Sequence, residues 1–285
     1  FASEKRCFRK TTVSEIKKIP NKTLKCYNAV IAMFELKNKV ALITGARRGM
    51  GKSHALALAK QGAKVVVTDI DLAECQFVVD EIKSGGGEAT CFKLDVSSAQ
   101  EVNQVFDEVI KQFGRLDILV NNAGIFSPKP ALELTEKEWD QMLNINLKGQ
   151  FLCAQRAAKE MAKNKWGRIV NISSIASGGV GIGFDGAVHY AASKGGVVGM
   201  SETLAIEWAP LGINVNVIAP GAIDTPMIAA AQMPKEAMDE IRTRVPLKRI
   251  GKSEEISAAV IFLASEEASY VTGATFYVDG GWLAA

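Results

Sequence analysis

Residues 40–51, with the sequence VALITGARRGMG, decide how the chain folds. The first four form a continuous apolar run, which is typical of a parallel strand buried on both faces. Gly45, Gly49 and Gly51 follow in a turn of spacing G-x-x-x-G-x-G, and a helical pattern begins at Ser53. Small residues at such a turn let a pyrophosphate approach the free N–H groups of the helix N-terminus. The segment therefore predicts a dinucleotide site, with a plain tight turn as the alternative.

Apolar strand patterns and helical patterns alternate along the rest of the chain. Six further strands are predicted at Val65–Val67, Cys91–Leu94, Leu116–Val120, Arg168–Ile172, Ile213–Ile218 and Phe276–Val278. Two helices begin with capping-box spacing, at Ser98 with Glu101 and at Thr135 with Glu138. Strands separated by helices pair in parallel, with helices on both faces. We expect a Rossmann-type doubly wound α/β fold with a seven-stranded parallel sheet, in one domain over residues 33–285.

Composition excludes several classes of protein. Of the 285 residues 48% are hydrophobic, but no apolar run approaches the roughly 18 residues of a membrane span. The five cysteines are scattered without C-x-x-C spacing, and there are two histidines, His54 and His189. This pattern argues against a disulfide framework or a metal site and favours a reducing compartment, so we expect a cytoplasmic protein without a metal.

The positive charge of the chain belongs to its first 32 residues. Residues 1–32 contain eight Lys and Arg against two acids, a net charge of +6, whereas the whole chain carries +3. The remainder is therefore at −3, which gives no reason to expect a nucleic-acid partner. We interpret residues 1–32 as an extension outside the fold, arising either from translation upstream of Met33 or from a cloning remnant. A transit peptide and a basic binding arm are the alternatives.

Two acids follow predicted strands at positions that suit an adenosine. Asp69 ends the second strand, 18 residues after Gly51, where a carboxylate accepts from a ribose 2′-OH and repels a 2′-phosphate. Asp95 ends the third strand, where it could bond the adenine amine. Arg48 is the counter-argument, because a cation in the glycine-rich turn pairs with a 2′-phosphate. We predict NAD as the cofactor, with NADP the weaker alternative.

Tyr190 and Lys194 stand four residues apart in a helical pattern. One face of a helix then carries both a phenol and an ammonium, and the ammonium favours the phenolate. Such a tyrosine exchanges a proton nearer neutral pH than a free phenol does. The alternative is a solvated helix face.

The chain resembles the short-chain dehydrogenase/reductase family, in its compact single-domain branch. The residues that carry the resemblance span 36–285: Thr44-Gly45-x-x-x-Gly49-x-Gly51, Asn121-Asn122-Ala123-Gly124, Asn146, Ser174, Tyr190-x-x-x-Lys194, Pro220-Gly221 and Asp279-Gly280-Gly281. They occur in the order of the family, and residues before Met33 have no counterpart in it.

The resemblance implies a catalytic tetrad. Tyr190 is the expected general acid/base, Lys194 lowers its pKa and holds the nicotinamide ribose, and Ser174 bonds the substrate oxygen. Asn146 is expected to hold a water in a proton relay through Lys194. Asn144 is the alternative to Asn146, just as Ser173 is the alternative to Ser174.

The resemblance also implies a set of cofactor contacts. The expected contacts are Gly45, Arg48, Gly49, Met50, Gly51, Asp69, Asp95, Val96, Asn122, Ala123, Gly124, Tyr190, Lys194, Pro220, Gly221, Ile223 and Thr225. Asp279-Gly280-Gly281 is expected to be structural.

The chain departs from the family before Tyr190, where the spacing from Ser174 exceeds the usual one by about three residues. The extra residues lie within 181–189 and are expected to reshape the substrate pocket. His189 then borders the site, with a hydrogen-bonded structural histidine as the favoured interpretation. Residues 227–248, which include Met227 and Met233, are expected to form an apolar substrate lid.

Small residues on two helices suggest close helix packing, and the family makes such helices the faces of a homotetramer. They are Ala154, Ala157 and Ala158 on one helix and Ala191, Ala192, Gly195 and Gly196 on the other. Packing within one subunit is the alternative.

The sequence therefore predicts an NAD-dependent oxidoreductase that interconverts a small secondary alcohol and a ketone. Arg242, Arg244, Lys248 and Arg249 leave a 3-oxoacyl thioester open as the alternative substrate. A catalytically silent nucleotide-sensing regulator ranks below both, because all four tetrad residues are present.

Overall fold

A computed structural model describes residues 33–177, 182–230 and 235–285, so residues 1–32, Gly181 and Met233 lie outside the described residues. Seven strands form one parallel sheet in the order β3-β2-β1-β4-β5-β6-β7. The strands are β1 Val40–Thr44, β2 Lys64–Asp69, β3 Ala89–Lys93, β4 Ile118–Asn121, β5 Gly167–Ile172, β6 Ile213–Pro220 and β7 Thr275–Val278. The predicted doubly wound sheet is confirmed.

Helices connect the strands and cover both faces of the sheet. The helices are α1 Gly49–Lys60, α2 Leu72–Ser84, α3 Ala99–Phe113, α4 Glu136–Leu143, α5 Gly149–Asn164, α6 Val188–Trp208, α7 Pro226–Ala230, α8 Lys235–Arg244 and α9 Ser253–Ala264. A π-helical turn, Asn144–Lys148, joins α4 to α5. No described helix is both long and apolar enough to cross a membrane.

Alternate residues of the central strands pack into two hydrophobic cores, one on each face of the sheet. Ala41 and Ile43 of β1 pack with α1, α2 and α9 on one face, whereas Val40 and Leu42 pack with α3, α5 and α6 on the other. All five β1 residues are buried, which explains why the strand reads as an unbroken apolar run.

Three local predictions need correction. Helix α1 begins at Gly49 rather than Ser53, because glycines fill its first turn and conceal the helical pattern. The polar region after β6 contains α7 and α8, which were not predicted. Ser98 accepts from the Glu101 N–H, but the Glu101 carboxylate accepts from the Asp95 N–H, so this capping box is only half formed. The Thr135 box is complete.

Candidate active site

A cleft of about 340 Å³ lies at the carboxyl ends of β1 and β4, where the strand order reverses. Loops diverge at such a switch point, and open α/β sheets bind their ligands there. Eleven of the expected cofactor contacts line this cleft. They are Gly45, Arg48, Gly49, Met50, Asp69, Asp95, Val96, Asn122, Ala123, Gly124 and Thr225.

The glycine turn is shaped by close contacts that exclude side chains. Gly45 has φ +64°, and a Cβ there would lie 2.7 Å from the Cα of Ala123. A Cβ on Gly51 would lie 2.2 Å from the carbonyl oxygen of Gly45. Gly51 therefore closes the turn from inside instead of lining the cleft.

The N-terminus of α1 fits an anion. Arg48 is the N-cap and is exposed, no side chain of the described chain caps the helix there, and its first turn carries no acid. The first N–H groups of a helix have no partner within it, and together with the helix dipole they attract a phosphate. These residues fit the pyrophosphate of a dinucleotide.

Thr44 and Asn122 join the two loops of the switch point. The Thr44 hydroxyl accepts from the N–H groups of Asn122 and Ala123, at 3.1 and 3.0 Å. The Asn122 amide donates to the carbonyls of Thr44 and Gly45, at 3.0 and 2.9 Å. Asn122 thus fixes the turn that carries the glycines, besides lining the cleft.

Arg47, which the sequence analysis did not single out, is the cation that contacts Asp69. Its Nε lies 3.2 Å from Asp69 Oδ1, and its terminal nitrogen lies 3.1 Å from Glu74 and 3.6 Å from Asp71. The cluster of these four residues has a net charge of −2. Arg48 carries the opposing cation at the exposed rim of the cleft.

Asp95 lines the cleft as expected, whereas Pro220, Gly221 and Ile223 after β6 do not line it. The Asp95 carboxylate accepts from the N–H and hydroxyl of Ser97, at 2.9 and 2.7 Å, so it shapes its own loop while it lines the cleft. Pro220 and Ile223 are buried, and the Gly221 N–H donates to Val278. Ile223 instead lines a separate cavity of about 110 Å³.

The structure brings Tyr190, Ser174 and Lys194 together beside this cleft. The Lys194 ammonium lies 5.7 Å from the centre of the Tyr190 ring and donates to the Ile172 carbonyl at 2.8 Å. The Ser174 hydroxyl accepts from the Ala176 N–H at 3.1 Å and lies close enough to the Tyr190 phenol to lower its pKa. The Phe126 ring packs edge-to-face on Tyr190, with 5.0 Å between the ring centres.

Contacts distinguish Ser174 from Ser173, and burial distinguishes Asn146 from Asn144. The Ser173 hydroxyl donates to the Lys194 carbonyl at 2.8 Å and is occupied by that contact, whereas Ser174 faces Tyr190. Asn146 is fully buried in the π-helical turn, while Asn144 is only half-buried. This geometry favours Ser174 and Asn146.

Asn146 contacts the protein on several sides. Its Oδ1 accepts from the Ile125 N–H at 2.8 Å, and its Nδ2 donates to the Ile125 carbonyl at 2.9 Å. A Cβ on Gly124 would lie 3.3 Å from Asn146 Oδ1 and 3.7 Å from Lys194 Nζ, so both side chains face this glycine. The asparagine therefore anchors the loop after β4 close to Lys194.

Burial governs the acid–base properties of the pair. Desolvation lowers the pKa of Lys194 to about 8. Burial raises the pKa of Tyr190 above its ordinary value, and the hydrogen bond from Ser174 lowers it by a smaller amount. The Lys194 ammonium donates to the Ile172 carbonyl, and it keeps its positive charge in that hydrogen bond.

The region before Tyr190 packs against the C-terminal segment. Phe184 lies edge-on to Trp282 with ring centres 6.1 Å apart, and the Gly186 carbonyl accepts from the Lys129 N–H at 2.8 Å. His189 is buried, but its Nδ1 has no hydrogen-bond partner within the described residues. The expectation of a fully hydrogen-bonded structural histidine is therefore not met.

The cleft has further lining residues that the sequence analysis did not include. They are Arg47, Ile70, Leu94, Ile125, Ile145 and Pro226, with Met227 from the expected lid. Most of them are adjacent in the sequence to a predicted contact, and this adjacency was the only indication in the sequence that they line the cleft.

Comparison with known proteins agrees with the site. A family model described as enoyl-(acyl carrier protein) reductase matches residues 45–283. The chain is 42% identical to 3-oxoacyl-[acyl-carrier-protein] reductase of Thermotoga maritima over 247 residues, 86% of this chain and 98% of that protein. It is 42% identical to (2S)-[(R)-hydroxy(phenyl)methyl]succinyl-CoA dehydrogenase subunit BbsD of Thauera aromatica over 246 residues, 86% and 97% of the two chains.

A solved structure gives the same result. A gluconate 5-dehydrogenase of Burkholderia cenocepacia, in complex with NADP and tartrate, superposes with a TM-score of 0.86 at 34% identity, covering 90% of this chain and 99% of that one. The chain belongs to the short-chain dehydrogenase/reductase family. It is an oxidoreductase that acts on CH–OH groups with NAD(P), and a silent regulatory role is not supported.

Proposed function

We propose that the protein interconverts a secondary alcohol and a ketone with NAD(H), using Tyr190 as the general acid/base. The observation that carries this proposal is the convergence of Tyr190, Ser174, Lys194 and Asn146 beside a cleft whose glycine turn fits a pyrophosphate. Bound nicotinamide supplies the hydride acceptor or donor.

The chain's own residues handle the proton and the substrate oxygen. In the oxidation Tyr190 takes the alcohol proton at its phenolic oxygen, and in the reduction it returns that proton. The Ser174 hydroxyl hydrogen-bonds the substrate oxygen as its charge develops. Lys194 keeps a cation close to the phenol, which favours the phenolate. Asn146 holds the adjoining loop in place.

Replacing Tyr190 by Phe tests this assignment. We expect turnover to fall roughly 10²–10⁴-fold or more, since the proton-transfer group is lost, while NAD binding persists. Tyr270→Phe is the matched control, because Tyr270 is fully exposed. A Tyr190→Phe enzyme with the turnover of wild type would refute the role.

NAD is the preferred cofactor in this proposal. Asp69 lines the cleft, and its cluster with Arg47, Asp71 and Glu74 has a net charge of −2, which opposes a 2′-phosphate. The structurally similar gluconate 5-dehydrogenase binds NADP, so the preference needs measurement.

Steady-state rates with NADH and NADPH provide that measurement. Asp69→Asn should raise the NADPH-to-NADH ratio of kcat/KM by about 10–100-fold, since one charge close to a phosphate is worth roughly 1–3 kcal/mol at intermediate dielectric. Asp80→Asn, an exposed acid on α2, should leave the ratio unchanged. A wild-type preference for NADPH would contradict the Asp69 argument.

A 3-oxoacyl thioester is the second candidate substrate, and the names of the two curated relatives favour it. The cations expected to attract an acyl carrier already have partners in this chain. Arg242 pairs with Asp239, Arg244 with Glu240 and Arg249 with Glu255, and the Lys248 ammonium donates to the Thr243 carbonyl. This pairing supports a free alcohol.

A substrate screen separates the two candidates. NAD⁺ reduction with a set of secondary alcohols would be run beside NAD(P)H oxidation with acetoacetyl thioesters. Higher kcat/KM for a free cyclic or hydrophobic alcohol supports the first candidate, and higher kcat/KM for a thioester supports the second.

A homotetramer in the cytoplasm completes the proposal. Ala154, Ala157 and Ala158 are buried within the subunit, so they do not form a contact face. Exposed Phe151 on α5 and Ile206 on α6 support an interface in their place. Analytical ultracentrifugation of Ile206→Asp should give smaller species than wild type, and an unchanged mass would refute the interface at α6.

The cysteines support the cytoplasmic location. The free, buried thiols of Cys75 and Cys153 suit a reducing compartment.

A further inference from the structure

Phe126 lies against the reactive tyrosine and has no role in the proposed mechanism. Its ring contacts the Tyr190 ring edge-to-face, at an interplanar angle of 75° and 5.0 Å between centres. Aromatic pairs prefer this geometry, and the second ring displaces water from the first. The contact therefore affects both the orientation of the phenol and its solvation.

Two anchors hold the loop that carries Phe126. On one side Asn146 bonds both backbone groups of Ile125, at 2.8 and 2.9 Å. On the other side the Lys129 N–H donates to the Gly186 carbonyl at 2.8 Å, and the Lys129 ammonium pairs with Glu138 at 2.7 Å. The phenylalanine is thus held against Tyr190 by a tetrad residue and by the region before α6.

We propose that Phe126 is a positioning residue for Tyr190: its ring shields one side of the phenol from water and so decides the pH range in which the enzyme oxidises alcohols. This inference rests on the proposed function. Shielding by an apolar ring favours the neutral phenol over the phenolate. The direction agrees with the effect of burial, which raises the pKa of Tyr190.

The other groups around the phenol do not replace this effect. Lys194 on the same helix favours the phenolate but is held by the Ile172 carbonyl, and Ser174 after β5 is an uncharged hydrogen-bond partner. The Lys129–Glu138 ion pair, on the Phe126 loop and α4, is already neutralised.

The test is the pH dependence of kcat/KM for alcohol oxidation in Phe126→Ala and Phe126→Leu. Loss of the ring in Phe126→Ala should move the acidic limb of the profile to lower pH by at least about half a unit, which corresponds to about three-fold higher kcat/KM on that limb. Phe126→Leu keeps an apolar cover and should move the limb less. Phe184→Ala, which removes an aromatic ring that packs on Trp282, is the matched control and should not move it.

A second measurement needs no substrate. Ultraviolet titration of each variant, minus the titration of the same variant carrying Tyr190→Phe, gives the ionisation of Tyr190 itself. Its midpoint should fall in Phe126→Ala relative to wild type. An unchanged midpoint, or an equal shift in Phe184→Ala, would overturn the proposal. If Tyr190→Phe retains full turnover while the midpoint moves as expected, the proposed function fails instead.

Discussion

Gly51 offers a test of the proposed nucleotide site at the glycine turn. An added Cβ would lie 2.2 Å from the Gly45 carbonyl oxygen, 2.6 Å from the Asn122 amide nitrogen and 2.9 Å from the Ala46 Cα. The Gly45 oxygen and the Asn122 amide are themselves bonded at 2.9 Å, so neither can move alone. Gly51 does not have a positive φ, and alanine is therefore a purely steric perturbation.

The size of the effect follows from these distances. Cβ atoms are essentially never found within 3.0 Å of another heavy atom, so the Gly45 carbonyl must shift by about 0.8 Å or more. Such overpacking costs about 1–3 kcal/mol, and weakening the Asn122 hydrogen bond adds roughly 1 kcal/mol. Replacing a helical glycine by alanine returns about 1 kcal/mol. We expect Gly51→Ala to lose about 1–3 kcal/mol of unfolding free energy.

Cofactor affinity should fall together with stability, because the displaced turn is the proposed pyrophosphate cradle. Urea unfolding gives the stability, and calorimetric titration with NAD gives the affinity, which should fall about ten-fold or more. Gly199→Ala on α6 is the control: its Cβ meets nothing within 4 Å, so it should gain up to about 1 kcal/mol with unchanged NAD affinity. A Gly51→Ala protein that binds NAD as wild type does would refute the steric argument.

Three further predictions concern stability. Burial lowers the pKa of His54 to about 3, so between pH 6.5 and 3 the unfolded chain binds a proton at His54 that the folded chain does not bind. The free energy of unfolding should therefore fall with falling pH in that window, by up to about 1.4 kcal/mol per pH unit. Urea titrations of His54→Gln should show a smaller dependence on pH. Arg115→Met leaves the buried Asp117 carboxylate without its guanidinium partner, which is itself 40% exposed, and should cost about 1–3 kcal/mol; an unchanged free energy of unfolding would contradict a stabilising ion pair. Thr135→Ala removes one half of a capping box with Glu138 and should cost about 1 kcal/mol, whereas Thr135→Ser should be near neutral.

The strands were predictable because burial on both faces imposes a continuous apolar run. The start of α1 was not, since the turn needs glycines at positions 45, 49 and 51 that carry no helical pattern. The short helix α7 and the polar helix α8 were missed for a related reason: the described side chains of α7 form no buried stripe, and α8 has no fully buried residue. The local signals for α8 were two charge pairs at helical spacing, Asp239 with Arg242 and Glu240 with Arg244.

The sequence could not show which of two neighbouring residues of the same type makes a given contact in the site. Arg47 and Arg48 are equivalent in the sequence, yet Arg47 turns to Asp69 because Asp71 and Glu74 lie at the start of α2 on the same side. The choice depends on the twist between two strand ends, which no local pattern contains. Ser173 and Ser174 pose the same problem, and it is resolved by the proximity of Ser173 to Lys194 and of Ser174 to Tyr190, which are 21 and 16 residues away.

The π-helical turn shows why Asn146 and its surroundings form one unit. A π turn adds a residue to the helical register, and such turns recur at functional sites because they re-aim a side chain within a helix. Asn146 and Gln150, which follows the turn, are both buried; Asn146 bonds the Ile125 backbone, and Gln150 donates to the Ile172 carbonyl at 3.1 Å. That same carbonyl accepts from Lys194. One stretch of helix thus fixes the loop that presents Phe126 and the strand end that holds Lys194, and the two sides of the Tyr190 site share a single support.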